Sequence, residues 1–257
     1  MPTVTVNGST VHYIDSGGGG TPVLLVHAFP LNAGMWQPQI ESLGRRFRLI
    51  APDLKGFGGS EAPEAMADYS VDGYADDLRG LLGALGLERI VLVGLSLGGY
   101  VALAFLRRHP EVVAALVLAD SRAEADSTEG QEKRTAQQTQ VREHGTARLI
   151  DSLAEALLAA PTRERSPEIV DHAKRLMDNS PQGYISALEA MKNRPDSTTD
   201  LVKINVPTLM LVGENDAVTP PEASRKMHEH VRGSRLVVLP DAGHLSNLEA
   251  PEAFTRA

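Results

Sequence analysis

Residues 91–103 read VLVGLSLGGYVAL. An apolar run reaches Gly94, a serine follows at Ser96, and Gly98 and Gly99 precede a second apolar run. The first run suits a strand buried on both faces. The second, closed by Pro110, suits a helix that is apolar nearly all round. Ser96 is therefore expected on a tight strand–turn–helix junction, the context in which G-x-S-x-G presents a nucleophile. Glycines two residues before and after it leave space that a β-carbon would fill. The helix opening at Leu97 points its free N–H groups and positive end at the serine. A dinucleotide loop needs G-x-G-x-x-G, and Ser96 occupies its middle glycine position.

The same pattern extends outward. Short apolar runs recur at 22–26, 48–52, 114–119, 208–213 and 235–240, besides 89–94. Helical patterns cover 71–86, 97–110 and 220–231, the last opening on prolines. Alternating strands and helices imply an α/β fold with a mostly parallel, doubly wound sheet. Before it, 3–6 and 10–15 alternate around Asn7-Gly8 and predict a β-hairpin. Gly17 to Gly20 read as a flexible surface turn, without phosphate-loop spacing. The alternation breaks at 122–197, where no strand is expected and 136–160, 167–179 and 181–195 read as helices. The expected organisation is a core of 1–121 and 198–257 with 122–197 inserted as a helical lid.

Composition narrows the chemistry. The chain has 257 residues, a net charge of −8 and no cysteine. Thiolate catalysis, disulfides and Cys-ligated metals are excluded. No dense basic block suggests nucleic acid. No run approaches the ~18 apolar residues of a membrane helix, and the first residues show no signal-peptide pattern. A cytoplasmic protein acting on small molecules is expected, and nothing here sets its oligomeric state.

Serine needs a base, and this arrangement places the partners later in the chain, in the order serine, acid, histidine. Of eight histidines, His12 falls in the hairpin and His109 ends a helix. His144 and His172 lie in the insertion. His228 and His230 share a charged helix at a spacing that puts them on different faces. His27, ending a strand ahead of the serine, is expected to tie down its loop through its ring nitrogens. His244, in a turn-rich loop after the last strand, is the expected base. For the acid, Asp216 follows the penultimate strand and is preferred, with Asp120 and Glu214 as rivals. Asp120 is expected to cap the start of the insertion.

HAFP (27–30), DLKGFGGS (53–60), GLSLGG (94–99), GENDAVTP (213–220) and AGHLSNLE (242–249) together resemble the α/β-hydrolase superfamily. The resemblance spans nearly the whole chain. It implies Ser96, Asp216 and His244 as a catalytic triad, and an oxyanion hole from the backbone N–H groups of Leu97 and Phe29. Phe29, Trp36 and Leu97 are expected in the pocket wall. No metal or organic cofactor is implied. Many relatives have His-Gly-x-Pro, so Ala28 is expected to restrict the oxyanion loop. Lys55 stands where Arg or Pro is frequent and is expected to matter little. The last helix of relatives runs further than Ala257. A serine at position 96, rather than the Asp of epoxide hydrolases and haloalkane dehalogenases, implies acyl-enzyme chemistry. The expected substrate is a small carboxylic ester. Alternatives are an enol-lactone, as for 3-oxoadipate enol-lactonases, with peracid formation as a side activity, and a ligand receptor built on the hydrolase fold.

Overall fold

The structure, a computed structural model, describes residues 2–65 and 69–257. Thr3–Val6 (β1) and Ser9–Asp15 (β2) pair antiparallel about Asn7 and Gly8, both at positive φ as a two-residue hairpin turn requires. The other strands are Pro22–Val26 (β3), Arg48–Pro52 (β4), Ile90–Leu95 (β5), Val113–Ala119 (β6), Thr208–Gly213 (β7) and Arg235–Leu239 (β8). They form one sheet in the order β1-β2-β4-β3-β5-β6-β7-β8, parallel from β4 onward, with β2 antiparallel to β4.

Both faces of the parallel part are covered, which is why its strands read as unbroken apolar runs. Leu24, Val26, Ile50, Leu92 and Met210 pack into one core with Val71–Ala84 (α2) and Leu97–Arg108 (α3). Their strand neighbours Leu25, Leu49, Ala51, Val93 and Leu211 point to the other core, with Trp36 and Phe254. Gln37–Leu43 (α1) lies on that second side against the chain's last helix, Pro251–Arg256 (α12). After β8 the chain ends in two short helices, Ser246–Glu249 (α11) and α12. Ala250, which precedes Pro251, leaves helical geometry at φ −132, ψ 58.

Between β6 and β7 the described chain forms no strand. It folds into Thr128–His144 (α4), Ala147–Leu157 (α5), Ala160–Arg165 (α6), Pro167–Leu176 (α7) and Pro181–Lys192 (α8), followed by Thr198–Leu201 (α9). The helix α4 starts eight residues before the expected run, capped by Ser127, whose Oγ accepts from the Gly130 N–H. Its first turns, TEGQEK, are polar all round and give no periodic signal. Gly145, at φ +72, ends it. Gly18 and Gly20 are less free than expected, because a β-carbon on either would meet the Phe47 or Arg46 carbonyl. Pro221–His230 (α10) covers β7 and β8. No helix among the described residues is long and apolar enough to cross a membrane.

The strand order decides where a ligand can sit. The chain runs outward from β3 to β4, then returns past β3 to β5. The carboxyl ends of β3 and β5 therefore diverge into the crevice where such sheets bind ligands. Residues 27–30 leave β3 there, and Ser96 leaves β5.

Candidate active site

Ser96 sits at φ 55, ψ −114, a region costing a non-glycine residue about 1–3 kcal/mol. Its surroundings hold it there. Its N–H donates to the Ala119 carbonyl at 2.9 Å, and its own carbonyl accepts from Gly99 N–H and, at 3.0 Å, the Ser121 hydroxyl. A β-carbon on Gly94 would run into the Gly98 carbonyl, and one on Gly98 into that of Val26. The glycines thus let the start of α3 lie directly against β3.

The loop after β8 brings His244 to the serine. Its Nε2 lies 2.8 Å from Ser96 Oγ, and its Nδ1 lies 2.8 Å from Asp216 Oδ2. Both partners are buried. The other Asp216 oxygen accepts the Val218 and Thr219 N–H groups at 2.8 and 2.9 Å, and the Thr219 hydroxyl donates to Oδ2 at 2.7 Å. Burial pushes the Asp216 pKa up, but the His244 charge and these hydrogen bonds outweigh it and hold it below the ordinary carboxylate value. Burial likewise lowers the His244 pKa, and the adjacent Asp216 carboxylate more than compensates, leaving it raised. A hydroxyl, an imidazole and an ionised carboxylate in this series can move a proton off the serine.

Glu249 fixes the His244 loop from below. One of its oxygens accepts the Gly243 and Leu245 N–H groups at 3.0 and 3.3 Å. The other accepts the Ala159 N–H and the Thr162 hydroxyl at 2.8 and 2.7 Å. The His244 N–H donates to the Leu157 carbonyl. His244 is therefore tied to the corner between α5 and α6. Thr219 and Glu249 lie inside GENDAVTP and AGHLSNLE, but only the closed loops show that their side chains brace Asp216 and the His244 loop.

The rival acids fall elsewhere. Glu214 is exposed. Asp120 does not cap the insertion. It is fully buried at φ 44, and its carboxyl accepts the Gly213 N–H at 2.8 Å and the Ser246 hydroxyl. Burial, with the neighbouring Asp216 charge, pushes its pKa up to about 8. A carboxyl protonated near neutral pH cannot balance an imidazolium as Asp216 can.

The segment leaving β3 is held by His27. The Leu54 N–H donates to His27 Nε2 at 2.9 Å, so the proton is on Nδ1, which donates to the Ala28 carbonyl at 2.9 Å. Burial lowers the His27 pKa and keeps the ring neutral. The backbone at Ala28 stays out of the left-handed region, so its β-carbon adds no strain to the loop. The Phe29–Pro30 peptide is cis. The N–H groups of Phe29 and Leu97 have no acceptor among the described residues, and Leu97 opens α3, where first-turn donors lack intrahelical partners.

A cavity of about 340 Å³ opens over Ser96 and His244. Phe29, Tyr100, Leu153, Leu157, Met191 and Val218 supply its apolar lining. None of the other seven histidines lines it. Trp36 and Leu97, expected in its wall, do not line it either. Both side chains are fully buried, Trp36 beneath the sheet against Phe254 with ring centroids 6.0 Å apart. Lys55 matters more than expected, because it is buried against Asp77 at 2.9 Å, and a buried cation requires a partner. Among the described residues, no group of three His, Asp or Glu side chains could hold a metal ion.

A model of proteins with the alpha/beta hydrolase fold matches residues 21–251. The chain belongs to the α/β-hydrolase family. It is 29% identical to 3-oxoadipate enol-lactonase 2 of Acinetobacter baylyi, over 99% of this chain and 94% of that one. Among solved structures it resembles a thermophilic esterase from Thermogutta terrifontis, malate bound, at TM-score 0.95 and 40% identity, covering 100% and 96% of the two chains. It also resembles the enol-lactonase from Burkholderia xenovorans LB400 at TM-score 0.92 and 30% identity, covering 99% and 97%. This hydrolase therefore sits among esterases and enol-lactonases.

Proposed function

We propose that this hydrolase cleaves small carboxylic esters through an acyl-enzyme on Ser96. The observation that carries the reading is the unbroken series Ser96 Oγ, His244 and Asp216 Oδ2, with 2.8 Å at each step, at the floor of a cavity. Ser96 Oγ attacks the ester carbonyl while its proton passes to His244 Nε2. Asp216 keeps the ring oriented and balances the imidazolium. The oxyanion of the tetrahedral intermediate accepts the Phe29 and Leu97 N–H groups, a contribution of about 10²–10³ in rate per donor. As the intermediate collapses, His244 returns the proton to the departing alkoxide. His244 then takes a proton from water, whose oxygen attacks the acyl carbon. Collapse releases the acid and restores Ser96. The helices in 122–197 act as a lid that shapes the acyl site, since Leu153, Leu157 and Met191 come from it.

Lactones are a second substrate class for the same steps, and the enol-lactonase relatives favour including them. There the leaving alkoxide stays tethered to the acyl group.

Chromogenic short-acyl esters test the reading. Turnover is expected, with Ser96 labelled by a fluorophosphonate, and Ser96→Ala should lose at least about 10³-fold in kcat. A folded wild type that turns over no member of an ester and lactone panel would sink it.

A further inference from the structure

The end of β6 touches all three loops that carry Ser96, Asp216 and His244. Residues 119–122 read ADSR. The Ala119 carbonyl accepts the Ser96 N–H, and the Ser121 hydroxyl donates to the Ser96 carbonyl. The Asp120 carboxyl accepts the Gly213 N–H, ahead of Asp216, and the Ser246 hydroxyl, just after His244. Arg122, the last of the four, reaches the turn that holds Asp216.

Arg122 Nη2 donates to the Val218 carbonyl. That oxygen belongs to the peptide unit whose N–H, on Thr219, donates to Asp216 Oδ1 at 2.9 Å. A series therefore runs from the Arg122 guanidinium through the 218–219 peptide to Asp216, and on to His244 Nδ1. A cation at a peptide oxygen polarises the peptide, so its N–H becomes a stronger donor to the carboxylate beyond it. The same bond fixes the peptide plane, so the N–H keeps facing Oδ1. Arg122 makes no ion pair among the described residues, and it lines the cavity with Ser96 and His244. Its charge is therefore left to act there.

We propose that Arg122 is a positioning residue: through the Val218 carbonyl it orients the peptide that braces Asp216, and it keeps a fixed positive charge beside the Asp216–His244 pair. The inference rests on the hydrolase reading above and concerns the same site. Burial lowers the His244 pKa and the Asp216 carboxylate raises it by more, while the Arg122 charge opposes protonation. A stronger hydrogen bond to Asp216 acts in the same direction, because the carboxylate then attracts the imidazolium less. Without Arg122 both effects are lost, and His244 holds a proton to higher pH. The other charged groups around His244 are Asp216 beside it, Asp120, protonated to about pH 8, and Glu249 beneath its loop. Asp126, Lys133 and Arg134 line the same cavity. All six are unchanged in an Arg122 variant, so a difference between variants reports Arg122.

Labelling of Ser96 by a fluorophosphonate tests it, because its rate follows neutral His244 and needs no substrate. The rate is followed from about pH 5 to about pH 9. Arg122→Gln can still donate to the Val218 carbonyl but lacks the charge. It should raise the midpoint of the acid limb by about half a pH unit or more, and so slow labelling at about pH 6 roughly threefold or more. Arg122→Met, also neutral, should shift it at least as far, and it serves where Arg122→Gln unfolds the protein. Arg122→Lys, which keeps the charge, should hold the midpoint within about 0.2 unit of wild type. The acid limb of kcat/KM for a short ester should move in step. A purely structural role would slow labelling at every pH and leave the midpoint in place. That result, or a midpoint shared by the neutral and lysine variants, would overturn the proposal alone. If wild-type Ser96 is labelled at no pH and no ester is cleaved, the hydrolase reading fails, and this inference with it.

Discussion

Two buried aspartates near one histidine have opposite protonation chemistry, and the difference is local. Asp216 accepts hydrogen bonds from His244, Thr219 and two backbone N–H groups, which stabilise its charge. Asp120, buried and beside the Asp216 charge, is held protonated up to about pH 8. Asp216→Asn should lower kcat about 10⁴-fold by favouring the wrong imidazole tautomer, whereas Asp120→Asn should leave most of the activity. An inactive Asp120→Asn beside an active Asp216→Asn would reverse the assignment. On the proposed mechanism His244 must be neutral to accept the serine proton, and its pKa is raised above 6.5. The acid limb of the kcat/KM profile should therefore have its midpoint above pH 6.5, with activity falling as pH drops through it. Linkage has a separate sign. A carboxyl with a raised folded-state pKa contributes stability that is complete below about 3.8 and lost as pH rises through about 8. Asp120→Asn should thus melt higher than wild type above pH 8, which a pH series of thermal unfolding checks.

Among the elements, the junction of β5 and α3 is the most tightly constrained. Its strain at Ser96 persists because β6 and the start of α3 bond to both sides of the residue. Gly98→Ala places a β-carbon into the Val26 carbonyl. It should cost about 3 kcal/mol in urea unfolding and displace Ser96 from His244, so activity falls as well. This junction was fully legible in residues 91–103, because G-x-S-x-G demands one local geometry. The insertion was legible only as helix. The periodicity of α5, α7 and α8 was visible, while the polar start of α4 was not. Nothing in the sequence placed Arg122, Lys133 and Arg134 along one cavity, since they come from a loop and a helix brought together by packing.

At the scale of the molecule, the two sides of the sheet have different tasks. The side away from α2 and α3 buries Trp36 against Phe254, and its apolar surface there stabilises the fold rather than binding substrate. Trp36→Ala should cost about 3–5 kcal/mol of stability while KM for a short ester stays within about twofold, as denaturant unfolding and steady-state kinetics would show. A large KM change with stability intact would return Trp36 to the pocket wall. Trp36 lies seven residues from Phe29 in the chain. The turn at Ala33–Trp36, however, carries the indole beneath the sheet.

The sequence alone determined the strand alternation and the elbow at Ser96, because each depends on residues close in the chain. Local backbone sterics and hydrophobic period suffice for such features. Tertiary structure decided which carboxylate faces His244, why Asp120 is protonated, how Glu249 fastens the base to the insertion, and which side chains line the cavity. Those facts depend on burial and on distances between residues dozens to more than a hundred positions apart, and only the closed fold sets either.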